Sequence, residues 1–294
     1  MIDGRTQLVG LIGWPVEHSL SPAMHNAVFA ALELNWHYVP LPVPPRQVEA
    51  AVRGLAALGF RGANVTVPHK QAVMPVVDAL APNARQVGAV NTLVIERRAD
   101  GSPIIHGHNT DDQGFVSALR QSGFRLEEGR RAVVVGAGGA ARAVVFGLLV
   151  SGIGEVVVLN RTLERGECLV SELGRRSNSK ASHLHALALT SDALIECAHQ
   201  ADLLVNATSL GMVPHAEQSI WPDGVPMPRH LTVVDLVCNP QETRLLQQAR
   251  QSGACPLGGL EMLVQQGALA FELWTGLPAP LEVMRIACKQ ALRR

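Results

Sequence analysis

Short β-branched runs alternate with amphipathic helical stretches along the whole chain, the pattern of an α/β protein. In the first part, strands are predicted near 6–12, 36–41, 61–66, 92–96 and 103–107, with helices at about 22–34, 45–58, 69–79 and 112–122. The polar stretch 123–130, bracketed by Gly123 and Gly129, reads as a linker. A strongly apolar strand at Ala132 then opens a second α/β block, with further strands near 155–159, 202–206, 231–236 and 254–257. Residues 213–229 are Pro-rich and read as an exposed loop. Two helices close the chain, at about 260–274 and 279–292. The expected organisation is one α/β domain over 1–122 and a second over 123–278, followed by a last helix (279–294).

Composition changes this picture little. Hydrophobic residues make up 47% of the 294, enough for sizeable cores. Lys+Arg and Asp+Glu both count 25, so net charge points to neither nucleic acid nor an anionic membrane, and a small ligand is the expected partner. The five cysteines are scattered and odd in number, which fits reduced thiols in the cytoplasm rather than a disulfide framework. No uncharged apolar run approaches the ~18 residues of a membrane span, and the N-terminus, with Asp3 and Arg5, lacks the form of a signal peptide. A homodimer is the expectation from general frequency alone.

Residues 132–141 read AVVVGAGGAA: a buried strand, then Gly136-x-Gly138-x-x-Ala141 with Gly139 and Ala140 between, then an apolar helix. The first glycine permits the tight turn, the second lets backbone approach a pyrophosphate, and free N–H groups at the helix start form an anion site. The next strand ends about 24 residues on, where a dinucleotide fold reads the ribose. An acidic residue there would accept from the 2′-hydroxyl of NAD. The chain instead has Asn160-Arg161-Thr162, with Arg165 one turn later, and a guanidinium suits the 2′-phosphate of NADP. Thr162 also fits the cap of the next helix, and both arginines fit solvated surface charges.

Four strings in the first domain are dense in polar groups yet sit at predicted strand ends: HSLSPAMHN (18–26), NVTVPHK (64–70), GAVNT (88–92) and GHNTD (107–111). Asn64 and Thr66 share one face of a strand by its period of two, with Val65 and Val67 on the other. Pro68 suits the first position of a helix, which places Lys70 in the opening turn. A partly desolvated lysine can give a proton to a developing alkoxide or take one from a hydroxyl, and a carboxylate at Asp111 can hold it in line. On spacing alone, Lys70 fits a surface lysine and Asp111 an N-cap equally well. Ser21 is a natural N-cap, and with Ser19 it places two hydroxyls at a positive helix end suited to a ligand carboxylate. The pairs His106/His108 and His183/His185 lack the partners of a metal site, and His18 and His25 read as shaping the serine turn.

Together with NRT (160–162), NATSLGM (206–212) and GGLEMLVQQGALAFELWTG (258–276), these strings resemble the shikimate dehydrogenase family in order over nearly the whole chain. The resemblance implies an N-terminal α/β substrate domain facing a Rossmann-type domain with a doubly wound parallel sheet, the last helix (279–294) packing back on the first domain. It also implies NADPH-dependent reduction of 3-dehydroshikimate to shikimate in aromatic amino-acid biosynthesis. It implies Lys70 and Asp111 as the catalytic pair, Ser19 and Ser21 on the substrate carboxylate, and Asn64, Thr66 and Asn91 on ring hydroxyls. Gln266 matches a glutamine that reaches back to the substrate. Thr208, Met212, Leu236 and Gly259 fall on strings that border the cofactor. The chain departs from the family at Cys238, where DLVCNPQETRLL (235–246) usually carries tyrosine, and weaker binding or altered substrate preference is expected. Two alternatives stand beside this reading: a quinate/shikimate dehydrogenase of broader substrate or cofactor range, and a non-catalytic regulator that binds the same ligands.

Overall fold

A computed structural model describes residues 2–177 and 183–293. The chain forms two compact units, residues 1–114 with 264–294 and residues 115–263. These borders lie inside two helices, whereas the sequence pattern placed them at 122/123 and 278. A domain border falls where contacts stop being shared, which need not be where a helix stops.

The first unit contains β1 (Gln7–Gly13), α1 (Ser21–Ala31), β2 (Trp36–Pro42), α2 (Val48–Ala57), β3 (Gly62–Val65), β4 (Ala79–Leu80), α3 (Pro82–Val87), β5 (Thr92–Arg97) and β6 (Pro103–His108). The helix α4 (Asp111–Gln121) begins in it. Its sheet runs β2-β1-β3-β5-β6-β4. The pairs β1/β2 and β1/β3 are parallel, and β3/β5 and β5/β6 are antiparallel. Beneath β1, β3 and β5, a core built on Ile12, Val52, Ala63, Leu93 and Ile105 packs the sheet against α2.

The helix expected over 69–79 does not form. Residues 67–68 and 70–73 are turns, Met74–Val76 is one turn of 3-10 helix, and Ala79–Leu80 pairs with β6. Pro75 removes a backbone donor where a helix interior would need one, and the Asp78 carboxylate instead accepts the Ile105 N–H at 2.7 Å, binding this stretch to the sheet. The short helix α3 carries Pro at its start and Gly88 at its left-handed C-cap (φ 71°), a legible signature that the hydrophobic period alone missed.

The second unit contains β7 (Arg131–Val135), α5 (Gly139–Val150), β8 (Glu155–Asn160), α6 (Leu163–Arg176), β9 (His183–Ala188), α7 (Ser191–His199), β10 (Leu203–Asn206), β11 (Thr232–Asp235), α8 (Arg244–Ser252) and β12 (Cys255–Gly258). All six strands are parallel in the order β12-β11-β10-β7-β8-β9. The central strands show no apolar–polar alternation because both sheet faces are covered: residues 132–135 and 156–159 are fully buried. The edge strand β9 was not expected, and its weakly apolar HLHALA explains why. The Pro-rich segment 213–229 lacks helix and strand as expected, but it is not simply exposed. Trp221 and Met227 are buried in the core beside Leu194, Leu231 and Leu245.

Two helices complete the chain: α9 (Leu260–Thr275), whose residues from Val264 belong to the first unit, and α10 (Leu281–Ala291). α10 packs against α1. Trp274 of α9 donates from its indole to the Leu93 carbonyl at 2.9 Å, pinning α9 to β5.

Candidate active site

The carboxyl ends of β3 and β6 bring three of the polar strings together. Lys70 leaves the turn after β3 and is fixed at its backbone, where its carbonyl accepts the Val90 N–H at 2.8 Å. Its ammonium donates to Asp111 Oδ2 at 2.6 Å, and the two side chains are only 14% and 6% exposed. Asp111 opens α4, and its own N–H is capped by Asn109 Oδ1 at 3.0 Å. Its second oxygen accepts from Asn91 Nδ2 at 2.8 Å. Asn91 also stands 3.2 Å from Gln266 Oε1, and its Oδ1 accepts the Thr110 N–H at 2.8 Å. One buried cluster therefore joins Lys70, Asn91, Thr110, Asp111 and Gln266. A charged pair out of water needs this number of supporting bonds to hold one geometry.

Three expectations need correction. Lys70 is held by a turn, not by the opening of a helix, and Pro68 is not a helical N1 residue. Ser21 is not the cap of α1: the helix starts at Ser21, Leu20 occupies the cap position, and no side chain caps it conventionally. The Ser19 hydroxyl accepts the Ser21 N–H at 3.2 Å instead. Ser21 is free of that duty, is buried, and bonds the Tyr38 hydroxyl. The alternation from Asn64 also breaks, because β3 ends at Val65 and Val67 is 60% exposed while Val65 is buried.

Tyr38, the chain's one tyrosine, was missed. It is buried on β2 and donates from its hydroxyl to Asn64 Oδ1 at 2.9 Å. The Asn64 amide in turn donates toward the Asn91 carbonyl (3.3 Å) and Thr92 Oγ1 (3.2 Å). Burial raises the Tyr38 pKa, so the phenol remains a neutral donor. His25 stacks on the ring at 4.6 Å, and burial pushes its pKa down to about 3, which keeps the imidazole neutral. A tyrosine at an inward strand position must find a partner for its hydroxyl, and that was the available signal.

In the second unit, the expected cofactor residues line the carboxyl edge of the parallel sheet. Gly136 follows β7 at φ 117°, where a Cβ would also stand 3.0 Å from the Ala207 carbonyl oxygen, so only glycine fits. Gly138 is the N-cap of α5, and no side chain occupies the cap, which leaves N–H groups of Gly139 and Ala140 at an open helix start. Thr208 follows β10, with its hydroxyl 2.7 Å from Asn206 Oδ1. Leu236 follows β11, and Gly259 follows β12, where a Cβ would lie 2.6 Å from the Leu236 carbonyl oxygen. Met212 lies beyond Thr208 and is partly exposed. The strand order reverses between β10 and β7, the switch point at which open α/β sheets receive ligands.

At the end of β8, Asn160 Nδ2 donates to the Thr162 carbonyl at 2.7 Å. Thr162 stands at the N-cap of α6, but its hydroxyl makes no capping bond, contrary to expectation. Arg161 and Arg165 are exposed, and neither forms an ion pair with a described residue. By contrast, Arg142 in the first turn of α5 is buried and paired to Glu172 of α6, a link that sequence reading did not single out.

Residues 11–93 match the shikimate dehydrogenase substrate binding domain, residues 118–234 the shikimate / quinate 5-dehydrogenase family, and residues 259–289 the shikimate 5′-dehydrogenase C-terminal domain. A shikimate dehydrogenase (NADP(+)) from Methanopyrus kandleri is 49% identical over 292 residues, covering 99% of this chain and 98% of the relative. The chain belongs to the shikimate dehydrogenase family. Among solved members and relatives, shikimate 5-dehydrogenase from Thermus thermophilus, in complex with NADP(H) and shikimate, has a TM-score of 0.83 at 38% identity, covering 98% of this chain and all of that one. Quinate dehydrogenase from Corynebacterium glutamicum, in complex with NAD, also scores 0.83 at 31% identity, covering 97% and 99%. Among the described residues, no helix is long and apolar enough to cross a membrane.

Proposed function

We propose that this chain interconverts 3-dehydroshikimate and shikimate with NADP(H), with Lys70 moving the proton and Asp111 holding Lys70 in place. The observation that carries the reading is the contact of 2.6 Å between Lys70 Nζ and Asp111 Oδ2, both side chains being nearly withdrawn from water. Reduction of a ketone puts negative charge on the carbonyl oxygen, and an ammonium beside it supplies the proton; in the reverse direction the neutral amine takes it back. Asp111 restricts the ammonium to one direction, and Asn91 restricts Asp111, so the pair is oriented before substrate arrives. Ser19 and Ser21 fit the substrate carboxylate, and Asn64, Thr66, Asn91 and Gln266 its ring hydroxyls. Asn64 is already engaged by Tyr38, so it offers a ring hydroxyl only its remaining acceptor capacity.

The second unit fits a dinucleotide phosphate. NADPH, when bound, supplies the hydride. The backbone of Gly136, Gly138, Gly139 and Ala140 is open to a pyrophosphate, as the uncapped start of α5 requires. Asn160, Arg161, Thr162 and Arg165 are assigned to the adenosine 2′-phosphate, since two exposed arginines without described ion-pair partners follow β8, one directly and one in the first turn of α6. Thr208, Met212, Leu236 and Gly259 are assigned to the nicotinamide side of the same edge. The cytoplasm is the compartment that suits a biosynthetic enzyme with free thiols.

A four-way assay tests the reading: shikimate and quinate, each with NADP⁺ and NAD⁺, followed by nicotinamide absorbance. Shikimate with NADP⁺ is expected to give the highest kcat/KM. Faster turnover of quinate with NAD⁺ favours the broader dehydrogenase, for which Cys238 is the motivating departure, and ligand binding without turnover favours a regulator. Lys70→Ala is expected to lower kcat by about 10²–10⁴-fold while shikimate binding, followed calorimetrically, persists. Near-normal turnover in that variant removes Lys70 from the chemistry.

A further inference from the structure

The first turn of α4 carries two adjacent acids in different circumstances. Asp111 uses both oxygens, one on Lys70 and one on Asn91. Asp112 is equally withdrawn, at 5% exposed, yet its Oδ1 is buried with no hydrogen-bond partner. Consecutive residues on a helix do not face each other, so Asp112 is directed away from the Lys70 contact. Asn83 of α3 reaches its carboxyl, and the Gln113 N–H on its own helix does the same. An ionised carboxylate with an unpartnered buried oxygen is costly, whereas the protonated acid relieves most of that cost.

We propose that Asp112 is a positioning residue for proton transfer: a buried acid whose gain or loss of a proton, one residue from Asp111, sets how firmly Lys70 keeps its own. The inference rests on the reading of Lys70 as the proton-transfer group. Burial above all, together with the neighbouring Asp111 charge, pushes the Asp112 pKa up to about 6, against partial relief from the Gln113 N–H and Asn83. The charged group acting on it is thus Asp111, itself paired with Lys70, while α3 turns the neutral amide of Asn83 to it and carries its one charged residue, Arg85, exposed. When Asp112 ionises, a second negative charge arrives near the pair and favours the ammonium form of Lys70. Oxidation of the alcohol needs the neutral amine, so this charge holds back the oxidative rate until higher pH.

The test combines two measurements on the full chain. Carboxyl-carbon NMR of the wild type follows Asp112 directly, its resonance being assigned by its loss in Asp112→Asn. The pH dependence of oxidative kcat is then compared among wild type, Asp112→Asn and Asp112→Ser, the serine variant guarding against failure of the asparagine variant to fold. Titration of the resonance near pH 6 is expected. In the variants the Lys70 limb should move to lower pH by roughly half a unit, about threefold in rate on that limb, with the divergence opening above pH 6. A resonance that titrates in the usual carboxylate range, or variant profiles that superimpose on the wild type, overturns the inference. Lys70→Ala is run in parallel: lost turnover there with unshifted Asp112 profiles defeats this inference alone, while retained turnover defeats the proton-transfer reading itself.

Discussion

Replacing Tyr38 by phenylalanine removes one oxygen from a fully buried ring and leaves its packing against His25 and Trp274 intact. The lost atom is the donor to Asn64 Oδ1 at 2.9 Å and also the partner of buried Ser21, and Asn64 is itself 5% exposed. Water has no ready access to replace that donor, so the cost is that of an orphaned buried acceptor, about 1–3 kcal/mol, rather than the smaller net worth of an exposed bond. A loss near 2 kcal/mol lowers Tm by about 4–8 °C for a unit of this size. Urea unfolding followed by tryptophan fluorescence suits the measurement, because Trp14, Trp36 and Trp274 all lie in the first unit. The midpoint should fall with the slope unchanged. Asn64 also loses the donor to its Oδ1, so with Asn64 on the substrate as proposed, KM for shikimate should rise several-fold while KM for NADP⁺, whose proposed residues lie in the other unit, stays put. In a double-mutant cycle with Asn64→Ala, coupling of about 1 kcal/mol or more is expected. Simple additivity in that cycle, or a stability change under about 0.5 kcal/mol, refutes the claim that this hydroxyl orders Asn64 on β3.

Other consequences are equally accessible. The folded-state pKa of Asp112 is raised from 3.8 to about 6, so its protonated form favours folding; this contribution is full below pH 4 and is lost as pH rises through 6. Asp112→Asn should therefore gain stability relative to wild type across that window, reaching about 2–3 kcal/mol by pH 7 in denaturant titrations, and a pH-independent difference contradicts this. Arg161→Ala with Arg165→Ala should raise KM for NADP⁺ by about 10–100-fold and leave KM for NAD⁺ almost unchanged, since charge-assisted bonds to the 2′-phosphate are what is lost. Equal effects on both cofactors would falsify the phosphate assignment. Cys238 is half-buried with its Sγ 3.6 Å from the Leu236 carbonyl oxygen. Cys238→Tyr should raise kcat/KM for shikimate or change the shikimate-to-quinate ratio, and unchanged kinetics for every substrate tried removes this position from specificity.

Much of this protein was legible in the order of its residues. Short β-branched runs set between amphipathic helical stretches located most strands, and the turn of Gly136 followed from a strand, a glycine pattern and a helix in sequence. Lys70 and Asp111 were legible only because several polar strings occurred together, as spacing alone fitted a surface lysine and a helix cap. Where the period was weak the reading failed: β9 has little apolar contrast, and Pro75 divided what looked like one helix. That Ser21 begins α1 instead of capping it, with its N–H on the Ser19 hydroxyl, turned on a single helical position, a matter of local backbone geometry that residue preference does not resolve.

By itself, then, the sequence determined the fold class, the dinucleotide turn and the set of polar residues available for chemistry, because periodicity and backbone permissiveness are properties of neighbours along the chain. Tertiary structure alone decided which of those residues share a site. Gln266 stands 3.2 Å from Asn91 across 175 positions, Trp274 anchors its helix to Leu93, Tyr38 orders Asn64, and Asp112 is left with a buried, unpartnered oxygen. Hydrogen bonding and desolvation act over a few ångströms in space, and only the folded chain brings residues so distant along it within that range.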